Sequence, residues 1–169
     1  IKKQNIAHQT ISAYIDHFID AFIIKKAERY DIKGRKYIGA QQKYFFTDVG
    51  LRNARLNFRQ QEENHIMENI LYNELTARGF SVDVGVVKNT VTNAAGKRQR
   101  SQLEIDFVCQ RGRGRYYIQS ALTVADENKR LQEINSFTKI NDSFIKIVVV
   151  RDYIIQWHDE AGILYIGIE

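Results

Sequence analysis

The spacing of hydrophobic residues changes several times along the chain, and each change marks an element. Ile11, Ile15, Phe18, Ile19 and Phe22 recur at helical intervals and predict a helix beginning near Gln9 or Thr10. Phe22-Ile23-Ile24-Lys25 then leads through Ala27 to Asp31, a Lys33-Gly34-Arg35 turn, and Lys43 to Asp48, a β-rich stretch with a basic tip. A second helical pattern covers residues 60 to 78, with Met67, Ile70, Leu71 and Leu75 as its apolar stripe and Gly79 in the usual stop position. Phe80 to Val87 predicts a strand and Asn93 to Gly96 a polar loop. Residues 102 to 121 predict two alternating strands around a Gly-Arg turn, and a helix follows from about Asp126 to Phe137. Phe144 to Val150 reads as a strand buried on both faces, and two short strands flank Asp159 to Gly162. The order is αβββαβ plus a closing hairpin, an α/β class with a mixed central sheet. A shift in composition near residue 58 divides the chain into an N-terminal helix-and-hairpin unit, 1–58, and a second unit, 59–169.

The 102 to 121 segment carries the best clue to chemistry. In Leu103-Glu104-Ile105-Asp106-Phe107 the period is two, so Glu104 and Asp106 share one face and Leu103, Ile105 and Phe107 the other. A turn centred on Gly112-Arg113 puts Asp106 opposite Gln119, and one centred on Arg113-Gly114 puts it opposite Ala121. Asp106, Gln119 and Ala121 share a face in both registers. Opposed Cβ atoms lie roughly 4.5–5.5 Å apart, close enough for a carboxylate and an amide oxygen to share one hard cation. A polar edge on an ordinary hairpin accounts for the same residues. Glu68 falls on the inward side of the second helix, where a carboxylate needs a partner or a metal; a salt bridge or a loop amide would also serve.

Composition narrows these options. The 169 residues suffice for a real core, and no run of about 18 apolar residues or signal-peptide pattern indicates a membrane span or secretion. The single cysteine, Cys109, excludes an internal disulfide and a cysteine-built zinc site, and fits a reducing cytoplasm. The net charge of +5 is carried partly by clusters: Lys25/Lys26, Lys33/Arg35/Lys36, Lys97/Arg98/Arg100 and Arg111/Arg113/Arg115. Such clusters permit phosphate contacts, although solvated turns use the same residues. His8, His17, His65 and His158 show no metal-ligand spacing, and no nucleophile-elbow pattern occurs. The chain starts at Ile1 already inside a helical pattern, as expected of a C-terminal fragment of something longer.

A helix followed by a basic hairpin resembles the second half of a winged helix, whose first helices would lie upstream. With no Arg or Lys from residue 5 to 22, its helix is poorly equipped for phosphate or base contacts, which favours docking on a partner over DNA reading.

The element order, Glu68, Asp106 and Ile118-Gln119-Ser120-Ala121 together look like the PD-(D/E)xK restriction-endonuclease-like fold. More narrowly, Tyr30 to Gly34, Tyr44 to Ala54, Glu68-Asn69 and Glu104 to Val108 resemble the C-terminal domain (domain of unknown function 4143) of prokaryotic AAA+ family ATPases. The similarity covers nearly the whole chain. It implies an upstream ATPase module that binds ATP, since no P-loop motif occurs in these residues. It also implies a site in which the helix Glu, the strand Asp and the next strand's Glu hold Mg²⁺ beside a lysine. Glu68 and Asp106 match, Gln119 replaces the acid, and Ala121 replaces the lysine, for which Lys88 or Lys129 could substitute by migration. The resemblance thus points to a degenerate nuclease-like module that binds nucleic acid or a partner protein without cleavage. Its alternative is a residual Mg²⁺ nuclease using Glu68, Asp106 and Gln119, with Glu104 as a spare carboxylate.

Overall fold

The computed structural model describes residues 7–59, 62–92 and 98–168. Helix α1 (His8–Asp20) turns at Phe22, φ 56°, into the hairpin β1 (Ile24–Asp31) and β2 (Lys36–Phe46). A short helix α2 (Val49–Arg55) follows, capped by Asp48, whose carboxylate accepts the Leu51 N–H at 2.9 Å. Next come α3 (Glu63–Ala77), β3 (Ser81–Thr92), β4 (Arg98–Arg111), β5 (Gly114–Ala121), α4 (Glu127–Ile134), β6 (Ile145–Val150), β7 (Trp157–His158) and β8 (Leu164–Gly167). All eight strands form one sheet in the order β2-β1-β3-β4-β5-β6-β8-β7. The sheet is mixed: β2, β4 and β7 run against the other five.

The expected αβββαβ order is therefore present as α3-β3-β4-β5-α4-β6. The N-terminal hairpin joins the same sheet, because Arg29 to Asp31 of β1 pair in parallel with Val84 to Val86 of β3. β4 and β5 pair from Phe107 against Ile118 to Arg111 against Gly114, so the turn is Gly112-Arg113, with Gly112 at φ 58°. This is the register that sets Asp106 opposite Gln119. Gly85 marks the irregularity between β3 and β4: a Cβ there would lie 2.9 Å from Ile105 Cβ and Val108 Cγ2.

The sheet buries both faces. On one, Met67, Leu71 and Tyr72 of α3 pack with Phe45, Val84, Phe107 and Ile118, and the Phe45 and Tyr72 rings stack at 4.2 Å. On the other, Ile134 of α4 and Phe137 of the following 3₁₀ turn cover Ile105, Tyr117, Val148 and Tyr165.

Four expectations are corrected by this packing. Ile70 belongs to the outer side of α3 at 43% exposure, while Asn69 and Tyr72 are buried, because α3 meets the edge strand β2 as well as the sheet. β6 is buried on both faces only from Val148 to Val150; Ile145 protrudes at the sheet end. β3 and β4 run past Val87 and before Gln102 as a long two-stranded arm; the expected loop from Asn93 to Gly96 lies outside the described residues. The alternation expected from Leu103 to Phe107 breaks at the β3–β4 irregularity, so Ile105 packs on the α4 side and Phe107 on the α3 side. α1 forms as expected and buries none of its described residues: Ile11, Tyr14 and Phe18 remain 48%, 61% and 47% exposed. Ile15 and Phe18 line, with Ile24, Phe46 and Leu51, an open apolar cavity of about 460 Å³. Among the described residues no helix is long and apolar enough to cross a membrane.

Candidate acidic site where the sheet parts

Beyond Phe107 and Ile118, β4 and β5 no longer pair with each other. β4 continues against β3 only, and β5 against β6 only as far as Ala121. Asp106 fills the opening at 6% exposure. One carboxylate oxygen accepts the Ser120 N–H at 2.8 Å and the Ser120 hydroxyl at 2.6 Å, and the other accepts Gln119 Nε2 at 3.2 Å. The Asp106 N–H donates back to Gln119 Oε1 at 3.4 Å. These bonds replace the missing ladder of the parted strands. Burial, helped by the charge of Glu68, pushes the Asp106 carboxyl up to about 6, against the pull of the Ser120 donors and Lys43.

The cation that meets these acids comes from the far edge of the sheet. Lys43 of β2 sits opposite Ala27, where the β1–β2 register shifts, and extends its ammonium to Glu68 Oε2 at 2.5 Å and Glu104 Oε1 at 3.1 Å. Burial works against the ammonium, but the bond to Glu68 and the charges of Glu68, Glu104 and Asp106 outweigh it and raise Lys43 above its ordinary range. Arg29 of β1 holds the other oxygen of Glu104 at 2.8 Å. Glu133 of α4 approaches Gln119 from the opposite side; burial and the charge of Glu68 raise its carboxyl, and the Gln119 hydrogen bond opposes them.

Asn69, next to Glu68, fixes the helix to the strand that carries Lys43. Its Oδ1 accepts the Phe46 N–H at 2.9 Å and its Nδ2 donates to the Phe46 carbonyl at 2.6 Å, as a neighbouring strand would. Asn69→Ala leaves a buried backbone donor without its partner, and a loss of about 1–2 kcal/mol in urea unfolding is expected. An unchanged midpoint would show that Asn73, which also donates to the Phe46 carbonyl at 2.9 Å, holds the helix alone.

The structure bonds Asp106 to Gln119 and brings the charge of Glu68 to bear on Asp106, while Lys43 joins Glu68 to Glu104. Neither migrated lysine reaches them. Lys88 binds Asp31 at 2.6 Å near the β1–β2 turn, and Lys129 stands in the exposed first turn of α4. Ala121 is a core residue, 4% exposed. Lys43, Arg29, Ser120 and Glu133 were not singled out by the sequence reading. Lys43 had one signal: it shares parity with Phe45, which is 3% exposed, and so belongs to the inward face of β2.

Mg²⁺ held by Glu68, Asp106 and Gln119 does not fit these side chains as they stand. Lys43 lies between Glu68 and Glu104, and the Asp106 and Gln119 oxygens face hydrogen-bond donors. Among the described residues no three His, Cys, Asp or Glu side chains are grouped to hold a metal ion. His65 pairs at the surface with Glu62 at 2.6 Å.

Comparison with known proteins finds two similarities, neither with a described role. Residues 1–62 match a domain of unknown function (DUF8612), and the match ends at the residue before α3. An uncharacterized protein of Haemophilus influenzae (strain ATCC 51907 / DSM 11121 / KW20 / Rd) is 30% identical over 161 residues, 95% of this chain and 36% of that protein. The chain therefore spans little more than a third of that curated relative. No solved structure matches.

Proposed function

We propose that this chain is a degenerate nuclease-like module, with a restriction-endonuclease-like core and a partial winged helix ahead of it, that binds nucleic acid or a partner protein without cutting. The observation that carries the reading is the Lys43 ammonium between Glu68 and Glu104, beside a buried Asp106 already bonded to Ser120 and Gln119. An internal cation offsets the acids that a metal would otherwise neutralise, and Gln119 adds donors where another carboxylate would add repulsion to Glu68, Asp106 and Glu133. The greater length of the Haemophilus relative leaves room for an upstream ATPase module, as in the AAA+ family ATPases that the sequence resembles, and a cytoplasmic location belongs to the same proposal.

A second reading has one observation in its favour. Lys43 brings to the acids the kind of group that Ala121 lacks, so a Mg²⁺ nuclease using Glu68, Asp106 and Gln119 could employ it. Incubation of supercoiled plasmid with the purified chain, with and without Mg²⁺ or Mn²⁺, separates the two. The proposal expects no metal-dependent nicking. Nicking that is lost in both Asp106→Ala and Lys43→Met would overturn it in favour of the nuclease.

A further inference from the structure

Two basic clusters that lie far apart in the sequence meet on the sheet face opposite α3. Arg35 of the β1–β2 turn, with Arg113 of the β4–β5 turn and Arg115 at the start of β5, lines one cavity of about 310 Å³ together with Tyr30, Gln110 and Phe144. That volume is at the lower end of ligand pockets, roughly 300–1,000 Å³. Arg35 also lines an adjoining cavity of about 370 Å³ with Lys33 and Lys139. Five cations thus border these two cavities, whose one carboxylate, Asp142, accepts the Tyr117 hydroxyl at 2.7 Å; Asp83 lines the neighbouring cavity beside Tyr30 and Arg115 and accepts the Tyr37 hydroxyl at 3.1 Å. Among the described residues Arg35 and Arg113 form no ion pair.

Aromatic rings are interleaved with these charges. The Arg115 guanidinium lies 5.4 Å from the Tyr30 ring centre and 5.1 Å from that of Phe144. Tyr37 meets Tyr30 edge-on at 5.4 Å and keeps 57% of its surface exposed. Cations alone would attract any polyanion; ring faces beside them also suit unpaired bases, which stack at about 1–3 kcal/mol each. Tyr30 and Tyr117, which shares parity with Arg115, pack with the core on the α4 side, so this surface lies across the sheet from α3.

We propose that the cleft between the β1–β2 and β4–β5 turns binds single-stranded nucleic acid, with phosphates on Arg35, Arg113 and the neighbouring cations and bases against the exposed aromatic rings. This goes beyond the reading of the acidic site and does not rest on it.

Fluorescence anisotropy of a labelled oligonucleotide about 20 nucleotides long tests it, as single-stranded DNA, single-stranded RNA and duplex DNA. The chain is expected to bind single strands more tightly than duplex. With about three phosphates neutralised, affinity should fall roughly tenfold to twentyfold as salt rises from about 50 to about 200 mM. Arg35→Glu/Arg113→Glu, both at exposed turn positions, should weaken binding at least about tenfold. Lys25→Glu/Lys26→Glu carries the same charge change and should alter it much less. The proposal is overturned by absent or salt-insensitive binding, by equal or tighter duplex binding, or by equal losses in the two double variants. Unchanged thermal midpoints establish that the variants fold.

Discussion

Lys43→Met should lower stability by about 3 kcal/mol at pH 7, near the low end for breaking a buried ion pair, because the Lys43 and Glu68 side chains keep 25% and 14% exposure. Methionine preserves most of the apolar stem, so the loss isolates the charge. Without the ammonium, Glu68 and Asp106 face each other uncompensated, and Glu104 retains Arg29. Protonation of Asp106 relieves the repulsion, so the penalty should be greatest above about pH 6 and shrink towards pH 5. Urea unfolding of wild type and variant at several pH values measures it. A penalty that does not change with pH would mean that Lys43 matters for packing alone.

The second large effect belongs to Asp106. Its folded carboxyl titrates at about 6, above the ordinary 3.8, so the folded state binds the proton more tightly than the unfolded chain does. Stability from this group is greatest below about pH 4 and is lost as pH rises through 6, a contribution of about 3 kcal/mol. Acidification from pH 7 to about pH 5 should therefore stabilise wild type relative to Asp106→Asn. The amide can still accept the Ser120 N–H but turns its NH₂ towards Gln119 Nε2, a cost that does not vary with pH across this range. A constant difference between the two proteins across this range would show that Asp106 titrates normally.

Much of this site was legible because it is local. The Gly112-Arg113 turn set the hairpin register and with it Asp106 against Gln119, but simple alternation did not survive to Phe107, because the β3–β4 irregularity puts Ile105 and Phe107 on opposite faces. Glu68 could be placed inward by helical spacing, although Ile70 could not, because the stripe of α3 turns towards an edge strand as well as the sheet. Lys43 was hidden by topology. It reaches Glu104 across 61 residues only because β1 pairs with β3 and carries β2 to the same side, and nothing in a local pattern states that neighbour relation. The same pairing brought Arg35 to Arg113. α1 shows the converse limit: its helix was readable from spacing, but its apolar side faces an open cavity rather than the core.

Calorimetric titration with Mg²⁺ and Mn²⁺ of wild type, Lys43→Met and Asp106→Ala addresses the central claim most directly. If the Lys43 ammonium supplies the charge that a metal would supply, wild type gives no binding heat and Lys43→Met gains a divalent site. Binding in wild type that disappears in Asp106→Ala would contradict the account.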